Sequence, residues 1–385
     1  VVINGQHAEV GHHAVGGRGA VVHALDARRV FAAGVGIDGE LDALRREFGS
    51  LYEGRTCLVT GADGFMGSHL TDALVELGAD VTAFVRATSS GALNNIGHLR
   101  RDVRVVFADL TDKTSIDYLM RDLANAPDKP YLFHLGAQAH VGESWHRPYE
   151  TVMSNTIGTL NLLQSIVDYG LEIEKFDTAG TSEEYGNPRE SVVHHHDYDE
   201  AGSLILHERS PINPKSIYAT AKVAADFLTM NYFDAYGVPA LVTRMFNNYG
   251  PRQNPRYITG TIITQALERE QIELGQLEPL RDFCFCTDGV RGHLTVAAHG
   301  TPGDVYVYGQ GENVAGPLQP TSYRHQPLRA FSSSNTSTNC PASKCARRGH
   351  WSWMRLPYAK SGRPSPSTAG RRPNVRKCTT DAVTT

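Results

Sequence analysis

Tyr218 and Lys222 are the residues of this chain whose types and spacing most directly suggest acid-base chemistry. They lie four residues apart in the stretch Tyr218-Ala-Thr-Ala-Lys222, and in a helix that spacing places both side chains on one face. A lysine ammonium there can stabilise the tyrosine phenolate and lower its pKa from about 10 towards neutral pH, which makes the tyrosine a general base. Because such pairs also occur by chance, this pair indicates catalysis only beside a second signal.

A glycine-rich turn supplies the second signal. The stretch 56–77 joins a short apolar run to the triplet Gly61, Gly64 and Gly67 and then to an amphipathic segment, which is typical of strand, turn and helix. A side chain at these positions would block the tight turn, the approach of a pyrophosphate, or the packing of helix on strand. The helix N-terminus offers free N–H groups to an anion. We therefore predict a dinucleotide site that includes Gly61, Gly64, Phe65, Met66 and Gly67.

Alternating strands and helices must position these residues. We predict strands near 56–60, 80–85, 103–107, 131–135, 174–178 and 239–244, and helices near 65–77, 113–124, 150–169, 217–236 and 258–268. Strands separated by helical segments indicate an α/β fold with a doubly wound, Rossmann-like parallel sheet.

Arg86 bears on the choice of cofactor, because it ends the second predicted strand. An acidic residue there would bind the adenosine ribose hydroxyls, whereas an arginine suits a 2′-phosphate. A solvated arginine at a strand end is nearly as simple an interpretation. Both NAD and NADP therefore stay open.

Composition excludes several classes of partner. The chain has 385 residues and a formal net charge of −4, so it carries no basic excess for nucleic acid or for an anionic membrane surface. No run reaches the roughly 18 apolar residues of a membrane span, and residues 1–40 lack the apolar core of a signal peptide, so we expect a cytoplasmic protein. The six cysteines lack paired C-x-x-C spacing, and the consecutive residues His194, His195 and His196 cannot all point at one ion. No metal is expected.

Three later motifs narrow the interpretation: Thr178-Ala-Gly-Thr-Ser-Glu-Glu-Tyr-Gly186, then Tyr218 to Lys222, then Arg244-Met-Phe-Asn-Asn-Tyr-Gly-Pro-Arg-Gln253. With the glycine turn, they resemble the extended short-chain dehydrogenase/reductase family, and within it the nucleotide-sugar 4,6-dehydratases of the dTDP-glucose and GDP-mannose types. The resemblance covers about residues 50–315. The position of Ser182 is Asp in the dTDP-glucose type and Ser in the GDP-mannose type.

The resemblance implies an internal redox cycle. Tyr218, assisted by Thr181, would take the proton from the sugar 4-hydroxyl, and Lys222 would hold the ribose of a tightly bound NAD or NADP that each cycle regenerates. Glu183 would then remove the proton on carbon 5, and Ser182 or the protonated Glu183 would protonate the departing water. The product is a 4-keto-6-deoxy sugar nucleotide.

The resemblance also implies further binding residues. Asp109 and Leu110 follow the third predicted strand, where the carboxylate can take the adenine amino group. The cofactor ribose would lie along a stretch that follows the fourth strand and includes Leu135, Ala137 and Gln138. The residues expected near the nucleotide-sugar substrate are Asn155 behind the active site, and Asn247 with Arg252 near the diphosphate. We also expect a homodimer.

The composition changes along the chain predict its organisation. Residues 1–50 are interpreted as a non-core extension or as upstream sequence translated in error. Residues 51–250 are predicted to form the cofactor-binding domain with the catalytic residues. A smaller, incomplete substrate lobe follows at 251–315. Residues 316–385 are rich in Ser, Thr, Pro, Arg and Cys, as expected of a disordered tail or of a reading-frame error, which we prefer.

The same motifs leave other functions of this fold as alternatives. A nucleotide-hexuronate decarboxylase also carries a Thr-Ser-Glu triplet, but it needs a basic residue for the substrate carboxylate that sequence cannot locate. A sugar 4-epimerase shares Tyr218 and Lys222, yet it needs no base at carbon 5 such as Glu183. A non-catalytic cofactor-binding protein would have no need to retain all three residues.

Overall fold

Seven parallel strands form the central sheet in this computed structural model, which describes residues 38–186, 197–198, 204–269, 273–274, 280–311 and 313–315. Numbered in chain order, the strands are β1 Thr56–Thr60, β2 Asp80–Arg86, β3 Arg104–Ala108, β4 Tyr131–His134, β5 Lys175–Thr181, β6 Asp197–Tyr198, β7 Leu204–Ile205, β8 Ala240–Met245, β9 Asn247–Tyr249, β10 Leu280–Phe285, β11 Val305–Tyr308 and β12 Asn313–Ala315. The order across the central sheet is β11-β8-β5-β4-β1-β2-β3. Because the order reverses between β1 and β4, their carboxyl ends border the crevice where such sheets bind ligands.

The helices connect these strands. They are α1 Asp38–Phe48, α2 Phe65–Glu76, α3 Lys113–Leu123, α4 Val141–His146, α5 Pro148–Val152, α6 Gly158–Asp168, α7 Ile217–Tyr236, α8 Ile258–Glu268 and α9 Cys286–His299. A π-helical turn at Met153–Ile157 joins α5 to α6, and short 3-10 turns lie at Gly97–Leu99 and Ser182–Tyr185. None of the helices in the described ranges is long and apolar enough to cross a bilayer.

Two apolar clusters cover the two faces of the sheet. In β1, Cys57 and Val59 point to the cluster that α1, α2 and α9 build, whereas Leu58 points to the cluster of α3, α6 and α7. All three side chains are fully buried, as expected of a parallel strand covered on both faces. This arrangement confirms the predicted doubly wound α/β fold.

Helix α1 corrects one boundary of the predicted organisation. Its Leu44 and Phe48 are buried in the core cluster with α2 and β1, so the extension predicted over 1–50 does not end at residue 50. The sequence signal was weak because the helix buries one narrow apolar stripe. Residues 1–37 and 316–385, and the three consecutive histidines, lie outside the described residues.

Strand β11 departs from the predicted substrate lobe. It lies within the segment 251–315, yet it pairs in parallel with β8 and completes the central sheet. The rest of that segment includes β10, which forms a small sheet with β9 and β12. The lobe is therefore interrupted by a strand of the cofactor-binding sheet, which a local sequence pattern does not indicate. The domain limits at 250 and 315 otherwise stay predictions.

Candidate active site

The glycine turn after β1 is closed by backbone packing. Gly61 has a φ of 69°, and a Cβ on it would come within 2.8 Å of the Cα of Gly136. A Cβ on Gly67 would overlap the carbonyl oxygen of Gly61. Gly64 is the N-cap residue of α2 and has no side chain with which to cap that helix. The backbone N–H groups at the start of α2 are thus available for an anion, the arrangement that a dinucleotide pyrophosphate requires.

A cavity of about 860 Å³ lies beside this turn. Segments that directly follow β1, β4, β5 and β8 line it, so it opens at the carboxyl ends of the parallel strands. The cavity brings together most of the predicted site residues, namely Gly61, Gly64, Phe65, Met66, Gly67, Leu135, Ala137, Thr181, Glu183, Tyr218, Lys222, Asn247 and Arg252.

A second cavity, of about 400 Å³, holds the remaining residues predicted to bind the cofactor. Arg86, Asp109, Leu110 and Gln138 line it. Arg86 is largely exposed and lies 3.8 Å from a carboxylate oxygen of Glu150. One carboxylate oxygen of Asp109 accepts hydrogen bonds from the backbone and side chain of Thr111, so part of this acceptor is used within its own turn.

Thr181, Tyr218 and Lys222 meet where β5 and α7 pack together. Thr181 ends β5, while Tyr218 and Lys222 lie one turn apart on α7 and are buried. The Thr181 side chain lies within interaction range of the Tyr218 hydroxyl and favours its ionised form. Lys222 Nζ donates a hydrogen bond of 2.7 Å to the backbone oxygen of Ala179 in β5. The same strand thereby orients both helix residues towards the cavity.

Burial controls the titration of these groups. Removal from water raises the pKa of Tyr218 well above its usual value, and the Thr181 side chain acts in the opposite direction. Burial lowers the pKa of Lys222 to about 8. The sequence predicted that Lys222 would lower the pKa of Tyr218; here the loss of hydration outweighs any such effect, and the ammonium group donates to Ala179.

The three residues Thr181, Ser182 and Glu183 do not all line the main cavity. Glu183 is partly exposed and lines the main cavity, and its backbone N–H donates to Thr181 Oγ1 at 3.3 Å. Ser182, which is half-buried, borders neither of the two cavities among the residues that the structure describes. The structure therefore brings Glu183 to the predicted site with Tyr218, and leaves Ser182 outside its lining.

The two asparagines and Arg252 have different surroundings. Asn155 is buried and bonds both backbone groups of Gln138, at 2.7 and 3.0 Å, so it fixes the loop after β4. Asn247 and Arg252 line the cavity. Arg252 has a φ of 66°, which is uncommon for a residue with a side chain, and its guanidinium lies 2.6 Å from the carboxylate of Asp72 in α2. Asp72 therefore neutralises part of the positive charge that Arg252 could present to a substrate diphosphate.

Sequence reasoning missed His140 and Tyr257, which also line the main cavity. His140 follows β4, and its Nδ1 accepts the backbone N–H of Glu143 at 3.0 Å at the start of α4. The rings of His140 and Tyr257 lie 5.4 Å apart. The sequence signal that could have identified His140 is its place shortly after β4, in the segment that contains the predicted cofactor-binding residues Leu135 and Ala137. Tyr257 lies four residues beyond the motif that ends at Gln253, between that motif and the predicted helix 258–268.

Comparisons with known proteins identify the family of this chain. The sequence model of the family described as GDP-mannose 4,6 dehydratase matches residues 58–318. A GDP-mannose 4,6-dehydratase of Vibrio cholerae serotype O1 is 32% identical over 267 residues, which are 66% of this chain and 67% of the relative. A dTDP-glucose 4,6-dehydratase of Xanthomonas campestris pv. campestris is 30% identical over 264 residues, covering 66% of this chain and 71% of the relative.

Solved structures show the same fold. The dTDP-glucose 4,6-dehydratase of Streptomyces venezuelae, crystallised with NAD, superposes with a TM-score of 0.58 at 28% identity over 68% of this chain and 77% of that structure. The UDP-glucose 4-epimerase of Thermotoga maritima, solved with UDP-glucose, gives a TM-score of 0.56 at 29% identity and covers 68% and 78% of the two chains.

Proposed function

This chain belongs to the GDP-mannose 4,6-dehydratase family, and we propose that it converts a nucleotide-diphosphate hexose, dTDP-glucose or GDP-mannose, into the 4-keto-6-deoxy sugar nucleotide. The observation that carries the proposal is that Thr181, Glu183, Tyr218 and Lys222 line the same cavity as the glycine turn. A hydride acceptor and an acid-base set would thus face one substrate.

The residues of this chain fit a nicotinamide dinucleotide. The glycine turn leaves no room for side chains at Gly61 and Gly67, and the N-cap residue of α2 is a glycine without a capping side chain, which suits a pyrophosphate. The second cavity, beside Arg86 and Asp109, would hold the adenosine half. When bound, the nicotinamide accepts a hydride from carbon 4 of the sugar and later returns it to carbon 6. The solved dTDP-glucose 4,6-dehydratases of Streptomyces venezuelae and Bacillus anthracis hold NAD. Arg86 would suit the 2′-phosphate of NADP, so NADP remains an alternative cofactor.

The proton transfers fall to residues of this chain. Tyr218 takes the proton of the 4-hydroxyl, and the adjacent Thr181 side chain lowers the pKa of its phenol against the effect of burial. Glu183 removes the proton of carbon 5, which the 4-ketone acidifies. The same carboxyl, now protonated, protonates the departing 6-hydroxyl. When the hydride reaches carbon 6, carbon 5 regains a proton from solvent, and Tyr218 releases the proton of the 4-hydroxyl. We favour Glu183 over Ser182 as the acid for the departing 6-hydroxyl, because Glu183 lines the cavity.

The alternatives make different demands on the cavity. A 4-epimerase would need Tyr218 and Lys222 but no carboxylate at the position of Glu183. A hexuronate decarboxylase would share Glu183 but would also need a basic residue that binds the substrate carboxylate. A protein that only binds the cofactor would not require Thr181 to contact Tyr218.

The test is incubation of the full chain with dTDP-glucose, GDP-mannose and UDP-glucuronate in separate reactions. The alkali-induced absorbance of a 4-ketosugar, formed from one of the two hexoses, is the expected result and identifies the nucleotide. Release of carbon dioxide from UDP-glucuronate would contradict the proposal in favour of the decarboxylase. Bound cofactor without turnover of any substrate would favour the non-catalytic alternative.

The finer predictions on assembly and location belong to the same proposal. We propose a homodimer, which is supported by exposed aromatic side chains on helices that pack together: Trp145 on α4, Tyr149 on α5 and Phe227 on α7. Sedimentation equilibrium tests it, because a monomer at micromolar concentration would contradict it. A cytoplasmic location stays a prediction.

A further inference from the structure

A buried cluster of charged side chains lies directly behind Thr181. Glu184, Asp226 and Arg244 have side-chain exposures of 0%, 3% and 6%. Arg244 Nε donates to Asp226 Oδ2 at 2.8 Å and lies 3.0 Å from Glu184 Oε2. Another nitrogen of the guanidinium donates to the hydroxyl of Tyr185 at 3.0 Å. Two carboxylates therefore face one guanidinium in a region shielded from water.

The hydrogen atoms of this cluster do not satisfy both carboxylates. Nε of Arg244 carries one hydrogen, and the geometry directs it at Asp226. Glu184 Oε1 accepts the backbone N–H of Thr181 at 2.9 Å, whereas Glu184 Oε2 is buried without a hydrogen-bond partner among the described residues. A bare carboxylate oxygen in that position would be costly. A proton on Oε2 would turn it into a donor to the neighbouring Asp226.

Electrostatics favour the same assignment. The guanidinium of Arg244 compensates one negative charge, and a second carboxylate nearby must repel the first. Burial, followed by the charge of Asp226, raises the pKa of Glu184 well above its usual range. Among the residues that the structure describes, Lys222 is a second cation that acts on Glu184, and its ammonium is committed to the backbone of β5.

We propose that Glu184 is protonated at neutral pH, donates its proton to Asp226, and acts as a positioning residue that holds Thr181 against Tyr218. Two hydrogen bonds fix the position of Thr181. Its backbone N–H donates to Glu184 Oε1, and its Oγ1 accepts the backbone N–H of Glu183. A neutral Glu184 also leaves the charge of Lys222 uncompensated from this side. The positioning part rests on the proposed function, but the protonation does not.

Glutamine and alanine at position 184 separate this proposal from a plain structural role. In Glu184→Gln the amide oxygen can accept from Thr181 and the NH₂ group can donate to Asp226, as a protonated glutamate does. We expect kcat within about threefold of wild type. Glu184→Ala frees Thr181, and a misplaced group at a reacting centre can cost about 10²-fold in rate, so we expect kcat to fall by that order while KM changes little. Equal losses of kcat in both variants would overturn the positioning role.

Infrared spectroscopy of the full chain at pH 7 tests the protonation without any substrate. We expect a carbonyl band of a protonated carboxylic acid that is present in wild type and absent from Glu184→Gln. A spectrum without that difference overturns the proposal, even if the enzyme turns over a sugar nucleotide. A band without turnover of any sugar would instead contradict the proposed function alone. Should Glu184→Ala fail to fold, the infrared difference between wild type and Glu184→Gln still tests the protonation, and the kcat of Glu184→Gln still tests whether a neutral side chain can replace Glu184.

Discussion

Glu183 and Glu184 are adjacent in the chain, yet they have opposite surroundings: Glu183 lines the substrate cavity, and Glu184 is fully buried beside Arg244. The 3-10 turn Ser182–Tyr185 that ends β5 produces this separation. One residue is thereby available to a substrate, while the other holds the backbone of Thr181. Glutamine should be harmful at 183 and tolerated at 184.

Replacing Tyr218 with phenylalanine should remove almost all turnover and leave the cofactor bound. The hydroxyl carries the proton transfer, which is worth roughly 10²–10⁴ in rate, whereas the ring alone fills the packed site. Turnover and the nucleotide released on denaturation measure the two effects. Tyr236→Phe on the same helix is the control, because Tyr236 is exposed and should tolerate the change. Activity above about a tenth of wild type in the Tyr218 variant would assign the proton transfer to another group.

Replacing Gly67 with alanine should destabilise the glycine turn. The added Cβ would overlap the carbonyl oxygen of Gly61, so the turn or α2 must shift, at a cost on the order of 1–3 kcal/mol in the free energy of unfolding. We expect a lower melting temperature and less bound dinucleotide. Gly97→Ala is the matched control, because its Cβ would meet only Leu93 at 3.9 Å. Equal melting temperatures and equal nucleotide content in both variants would contradict this account of the turn.

His134 should make the protein less stable in mild acid. It is buried between the hydroxyls of Thr60 and Thr159, and burial lowers its pKa from 6.5 to about 3. Between pH 6.5 and pH 3 the unfolded chain binds a proton at His134 that the folded protein does not bind. The free energy of unfolding is therefore unaffected by the titration of His134 above pH 6.5 and falls as the pH is lowered towards 3.

Urea unfolding of wild type and His134→Gln at pH 8, 6 and 5 measures the effect. The difference in unfolding free energy between the two proteins should shift by about 1 kcal/mol against wild type from pH 6 to pH 5, and stay nearly constant above pH 7. The comparison with glutamine removes the contribution of the other titrating groups. A difference independent of pH would show that His134 titrates normally.

The parts of the fold predicted well are those with a local signal. The bounds of α7 and α8 agree with the predicted 217–236 and 258–268, because their apolar repeats and end signals lie within the segments themselves. The membership of β11 in the central sheet depends on its pairing with β8, far along the chain, and the sequence does not contain that information. Helix α1 was missed because its apolar stripe is short.

The candidate site was predictable to the extent that motifs mark it. The glycine turn, Thr181, Glu183, Tyr218 and Lys222 belong to recognisable patterns and meet in one cavity. The environment of each group was not predictable, since the burial that raises the pKa of Tyr218 depends on the packing of α7 against β5. For the same reason, the motif that contains Arg244 does not indicate that Arg244 is buried and paired with Glu184 and Asp226.

Glu183→Gln tests the central claim most directly, because it should separate the two halves of the dehydratase cycle. The amide keeps the size of the side chain but cannot take the proton of carbon 5. Glu172→Gln, a substitution of a highly exposed glutamate, is the control. Stopped-flow absorbance after mixing with the active sugar nucleotide follows the bound nicotinamide, and hydrogen exchange at carbon 5 in deuterated water is followed in parallel. We predict that the reduced nicotinamide accumulates in Glu183→Gln and is transient in the control, while exchange at carbon 5 stops. Exchange at the wild-type rate in Glu183→Gln would contradict the account.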